Sequence, residues 1–153
     1  MLAARMSGCR SHQSLGTPFP ELGDRPADIF LDNFRAGSPV AVDVSVVCGL
    51  QPSRSLATSH AGVRAKQRDT QKKNQYGESC RALGWGFVPF VAETTGAWGS
   101  EAHKVMSQLI SLSASKIGET KQESTVKVWK SLSVALAKSI AEQLIGAFGP
   151  YVY

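Results

Sequence analysis

The chain has no apolar run near the roughly eighteen residues that a membrane-spanning helix needs, so no membrane partner is expected. Cysteine is scarce. Cys9, Cys48 and Cys80 are odd in number and far apart, which excludes a disulfide framework and fits a reducing compartment, nuclear or cytoplasmic. Cys9 and His12 have the spacing of a metal-ligand pair, but a structural zinc takes four ligands and no second close pair exists. There is no internal repeat and no low-complexity tract, and no pattern calls for a small-molecule substrate. Acid is in short supply: 12 Asp and Glu stand against 17 Lys and Arg, a formal net charge of +5.

What is present suits one folded domain. The 153 residues are 42% hydrophobic and 19% charged, the balance of a chain that can bury a core. The basic excess is concentrated. Arg54, Arg64, Lys66, Arg68, Lys72, Lys73 and Arg81 face only Asp69 and Glu78 within one segment, which points to a polyanion partner.

Residues 1–24 hold Gly8, Gly16, Pro18, Pro20 and Gly23 and keep no periodic pattern, so they read as an irregular leader. Residues 27–31 and 40–47 (VAVDVSVV) read as two strands of a hairpin, joined by turn residues from Asp32 to Pro39. Residues 55–83 read as one long basic helix, weakened by Gly62 and Gly77 and broken at Gly84. A third strand follows at 87–93, where Pro89 favours an edge. Ser100 is a candidate N-cap for a helix over 101–117 that Gly118 ends. A second helix over 122–147 carries Val126, Trp129, Leu132, Leu136, Ile140 and Leu144 as one stripe. The expected fold is therefore α/β: a small mixed sheet with a long crossover helix and a C-terminal antiparallel helical pair. The expected division is a leader at 1–24, a core at 25–98 and the helical pair at 99–153.

Two acids stand out in this arrangement. Asp28 starts the first strand and Asp43 lies inside the second, so a hairpin brings them together across the ladder. Two close carboxylates repel unless a cation sits between them, which is how a Mg²⁺ site is built. Such an ion polarises a phosphate oxygen and lowers the pKa of a bound water. Lys72 of the following helix would stabilise the developing charge, and helical spacing puts Tyr76 on the same face. The bland alternatives are that Asp28 caps a turn and that Asp43 pairs with a lysine of the next helix. Glu93 either faces the metal or caps its glycine loop. His60 and His103 stand alone on helices, and Trp85 and Trp98 read first as packing residues.

The sequence Arg25-Pro26-Ala27-Asp28 followed by Val42-Asp43-Val44-Ser45-Val46 resembles the PD-(D/E)XK signature of restriction-like endonucleases found behind the reverse transcriptase of some non-LTR retrotransposons. In that family the lysine has moved from two residues after the second acid to the next helix. Here Ser45 holds the old place, and Lys72 with Tyr76 matches the relocated pair. Cys80, the segment 87–99 (FVPFVAETTGAWG) and the helix at 129–136 (WKSLSVAL) resemble the rest of the domain, so the resemblance spans about residues 25–145. It implies metal-dependent nicking of DNA, with Asp28, Asp43 and Lys72 as catalytic residues and Asp28 and Asp43 on Mg²⁺. DNA, or RNA, would lie along Arg64, Lys66, Arg68, Lys73 and Tyr76. The family core normally opens with a helix and a strand that residues 1–24 do not resemble, and no Tyr-x-Asp-Asp polymerase motif is present. The alternative expectation is a non-catalytic nucleic-acid-binding remnant of a decayed retroelement.

Overall fold

A computed structural model describes residues 11–13, 27–35, 37–49 and 60–148. In chain order these form β1 (Ser11–Gln13), β2 (Ile29–Arg35), β3 (Ser38–Val47), α1 (Val63–Ala82), β4 (Gly86–Glu93), α2 (Ser100–Ile117) and α3 (Lys121–Phe148). The fold is a small mixed α/β fold. The strands lie in the order β1-β2-β3-β4. β1–β2 and β2–β3 are antiparallel, and β3–β4 is parallel across the α1 crossover.

At residues 11–13, β1 replaces the expected irregular leader with a strand. Ser11, His12 and Gln13 pair with Leu31, Phe30 and Ile29. Three polar residues are too few to show an alternation, so only the pairing of their backbone with β2 reveals the strand. The hairpin turn is also tighter than the expected Asp32–Pro39 segment. Arg35 pairs with Ser38, and Gly37 takes the left-handed conformation, φ 89°, that a two-residue connection needs. A register shift between Leu31 and Arg35 lets Phe34 join Leu31 in the same core cluster despite the odd spacing between them.

β3 is the spine of the molecule because its alternation is apolar on both sides. Val40 and Val42 pack with Leu31, Val88 and the Val105, Met106, Leu109 and Ile110 side chains of α2. Ala41, on the opposite face, packs with Phe30, Phe87 and Cys80 of α1. The sheet is thus covered by α1 on one face and α2 on the other, with α3 docked through Val128, Trp129 and Leu132. Pro89 sits in β4, an edge strand of this sheet, where its missing N–H breaks no ladder on the outer side.

The helix boundaries have local causes. α1 begins at Val63, because Gly62 stands at φ 89°, outside the helical region. Residues 55–59 of the expected basic helix lie outside the described residues. α2 starts one residue earlier than expected: Gly99, not Ser100, is its cap, with its N–H bonded to Val91 O at 2.8 Å. Gly118 closes α2 at φ 71°, as expected. In α3 the expected stripe holds only in its middle. Leu136 is buried, whereas Val126 is 62% and Leu144 53% exposed: Val126 lies off the face that Ser124, Val128 and Leu132 turn inward, and Leu144 lies beyond the length of α2. No helix among the described residues is long and apolar enough to cross a membrane.

Candidate active site

The site lies on the α1 face of the sheet. Asp43 is directed there because Ala41, two residues before it, shares that face, and the carboxylate is buried. A buried charge needs a partner. Lys72 supplies it from the middle of α1, with Nζ 3.1 Å from Oδ1 and 3.1 Å from Oδ2. Ser45 Oγ donates a third bond to Oδ2 at 3.0 Å. The Lys72 ammonium also lies 5.2 Å from the centre of the Tyr76 ring, and Tyr76 touches Phe87 with ring centres 5.7 Å apart.

Asp28 joins this group from the hairpin. Its backbone N–H donates to Val42 O at 2.9 Å, and its Oδ2 accepts the Val44 N–H at 2.8 Å. The paired register begins at Ile29, opposite Val42, and Asp28 lies just before it, held by these two bonds beside the Val42–Val44 stretch of β3. Asp28 is exposed and Asp43 is buried. Asp43, Lys72 and Tyr76 are therefore in contact, and Asp28 is tied to the residue after Asp43. The lysine pairing weighed for Asp43 is present, with Lys72 as the partner. Among the described residues no group of three or more His, Cys, Asp or Glu side chains gathers as a metal site.

The basic residues of α1 diverge. Arg64 donates to Gln67 and Arg68 to Gln71, each one turn along the helix surface, and Lys66 is exposed. Lys73 reaches the other way, to Glu101 of α2 at 3.0 Å. Lys104 meets the same carboxylate at 2.8 Å. Burial works to raise the Glu101 pKa, but Lys104 and Lys73 outweigh it and hold the group below its usual value.

Two further acids are buried near the site. Of the readings weighed for Glu93, the contact with its glycine loop is present through Thr95, and the carboxylate also reaches the start of α1. Its Oε1 accepts the N–H groups of Arg64 at 2.9 Å and Ala65 at 3.0 Å, and its Oε2 accepts the Thr95 hydroxyl at 2.9 Å. Burial opposes ionisation, yet these bonds to the first turn of α1 and to Thr95 together lower the pKa. Asp69 is buried on α1 against Gly99, and neither carboxylate oxygen has a hydrogen-bond partner among the described residues. Burial pushes its pKa up, and the nearby Glu101 N–H and the charges of Lys73 and Lys104 only partly offset this. A helical period shared with Lys72 and Lys73 was the only available signal for Asp69.

The aromatic residues are packing residues first. Trp98 meets Phe90 and Trp129 edge-on, Trp129 also meets His103, and Trp85 meets Phe30 edge-on at 4.8 Å. Cys80 is buried, with its thiol pKa pushed up by desolvation, while Cys48 is exposed. No family model, curated protein or solved structure matches this chain.

Proposed function

We propose that the chain is a restriction-like endonuclease domain of a retroelement that binds DNA along α1 and, with Mg²⁺, hydrolyses a phosphodiester beside Asp28, Asp43 and Lys72. One observation carries this reading: Lys72, 29 residues along the chain and on another element, delivers its ammonium to Asp43, while Ser45 occupies the position two residues after the acid. Asp28, the second acid of the reading, is bonded to the N–H of Val44, the residue that follows Asp43.

Two carboxylates suit Mg²⁺, which keeps several waters and takes one or two protein carboxylates together with substrate phosphate oxygens. Asp28 and Asp43 would hold it, and it would supply Lewis-acid polarisation of the phosphate and a more acidic bound water. The chain's own groups do the rest. Lys72 offers a cation to the non-bridging phosphate oxygens as charge builds on them. Asp43 and Tyr76 fix where that cation stands. Arg64, Lys66 and Arg68 hold the flanking backbone, a contact that is ionic and independent of sequence.

A second reading, binding without hydrolysis, is favoured by the closure of Lys72 on both Asp43 oxygens, which leaves less of the carboxylate for a metal. Nicking of supercoiled plasmid with and without Mg²⁺ separates the two. The expected result is Mg²⁺-dependent nicking that Asp43→Asn abolishes while DNA binding persists. Nicking by Asp43→Asn at the wild-type rate would overturn the catalytic reading, and DNA binding with no Mg²⁺-dependent nicking in the unaltered chain would establish the second.

A further inference from the structure

Between the C-terminal half of α1 and the start of β4 lies an open groove of about 640 Å³, which falls within the size range of small-ligand sites. Its α1 side presents Lys73, Asn74 and Arg81, and its β4 side presents Trp85 and Phe87. Glu78 is the one acid in the lining.

Gly77 also lines this groove, and its presence needs a cause. Glycine in a helix interior costs about 1 kcal/mol relative to alanine. The usual reasons for tolerating it are absent. Gly77 is not among the glycines with positive φ, so its backbone suits any residue. A Cβ built there meets nothing within 4 Å, so no neighbouring element presses against it. What the missing side chain does is leave the groove open.

We propose that this groove holds one unstacked nucleotide of a single-stranded nucleic acid, its base against Trp85 and Phe87 and its phosphate on Arg81, with Lys73, whose ammonium is paired with Glu101, at the rim. The inference rests on the nucleic-acid reading above and extends it to the state of the strand. Aromatic side chains beside cations are how single strands are gripped, because every base has a π-face and every nucleotide a charge. A duplex keeps its bases stacked and would leave the aromatic wall idle. An acidic peptide would use the cations and leave both the aromatic side chains and the Asn74 amide idle. The groove is continuous with the candidate site, since Phe87 lines it and also touches Tyr76, beside Lys72. A nucleotide held here would neighbour the phosphate at Asp43.

The test fills the groove without harming the helix. Gly77→Leu places a bulky side chain in the open space and introduces a far better helix former. Binding of a fluorescently labelled short oligothymidylate, followed by anisotropy, should weaken about tenfold or more. Thermal melting by circular dichroism should show no loss of stability. Gly77→Leu binding the oligothymidylate as tightly as the unaltered chain would overturn the proposal. So would an abasic oligonucleotide of equal length binding as tightly as the oligothymidylate, since the groove would then read charge alone. Asp43→Asn, assayed in parallel for nicking, keeps the two ideas apart. Asp43-dependent nicking with an unaffected Gly77→Leu removes the groove and leaves the nuclease. Loss of oligothymidylate binding in Gly77→Leu from a chain that never nicks does the reverse.

Discussion

Glu93, the last residue of β4, holds the backbone N–H of Ala65, in the first turn of α1, at 3.0 Å. A carboxylate at a helix N-terminus satisfies donors that have no partner within the helix and meets the positive end of its dipole. The anchoring also fixes the register of α1 over the sheet, and with it the place of Lys72 above Asp43.

Glu93→Gln should therefore destabilise the fold by about 1.5–3 kcal/mol at neutral pH, the range for hydrogen bonds to a charged group. The folded-state pKa is lowered, so the contribution is full above the unfolded glutamate pKa and is lost as pH falls through the folded one. Urea unfolding at pH 7 and pH 3 checks this: the gap between variant and parent should be wide at the first and narrow at the second. An equal gap at both would mean that the charge plays no part.

Asp69 should behave in the opposite sense. Its pKa is raised by burial, so its ionised form opposes folding above the folded pKa, and that opposition fades as pH falls below the unfolded value. Asp69→Asn is expected to raise the melting temperature at pH 7 and to leave it unchanged at pH 3. A lower melting temperature at pH 7 would show that the carboxylate serves the start of α2 more than it suffers from burial.

The Asp43–Lys72 pair invites a double-mutant cycle. Both side chains are close to 90% shielded, at 10% and 12% exposed. Removing one partner of a buried pair strands the other, which typically costs about 3–5 kcal/mol. Lys72→Met should approach that range, and adding Asp43→Asn should recover part of the loss. Denaturant unfolding of the four proteins measures the coupling. No recovery in the double variant would mean that packing of the lysine stem, not the charge pair, holds α1 in place.

Lys66 is exposed on α1 and makes no ion pair among the described residues. Lys66→Ala should lower the slope of log affinity against log salt for duplex DNA by about 0.9 if Lys66 contacts one phosphate. Its melting temperature should hold, as for most surface substitutions. An unchanged slope would place the duplex elsewhere.

Much of this arrangement was legible because local chemistry decides it. The β-branched run of β3, the acid set inside it and the glycines at 84 and 118 announce strand, site and helix ends within a few residues. The Lys72–Asp43 contact was legible only as an option, a lysine of the next helix pairing with an acid set in an apolar strand, because nothing local relates residues on a strand and a later helix. The hold of Glu93 on the start of α1 was hidden for that same reason, and so was the burial of Asp69 against Gly99, since in each case the two residues come from separate parts of the chain. β1 was hidden because Ser-His-Gln has no pattern of its own. Val126 misled because the packed side of α3 is centred on Ser124, Val128 and Leu132, and Leu144 because a helical stripe says nothing of how far the neighbouring helix extends.

The parallel pairing of β3 with β4 also sets an order in which the site can come into being. β2 and β3 meet across a two-residue turn, so the strands carrying Asp28 and Asp43 associate through contacts local in sequence. Val40 meets Gly86 only after the chain has closed a loop containing the whole of α1, and long loops pair late. The hairpin therefore forms while the Asp43 carboxylate still lacks its lysine, and the crossover that completes the parallel pairing is also what brings Lys72 onto that carboxylate. A chain caught halfway would have its acids and no lysine.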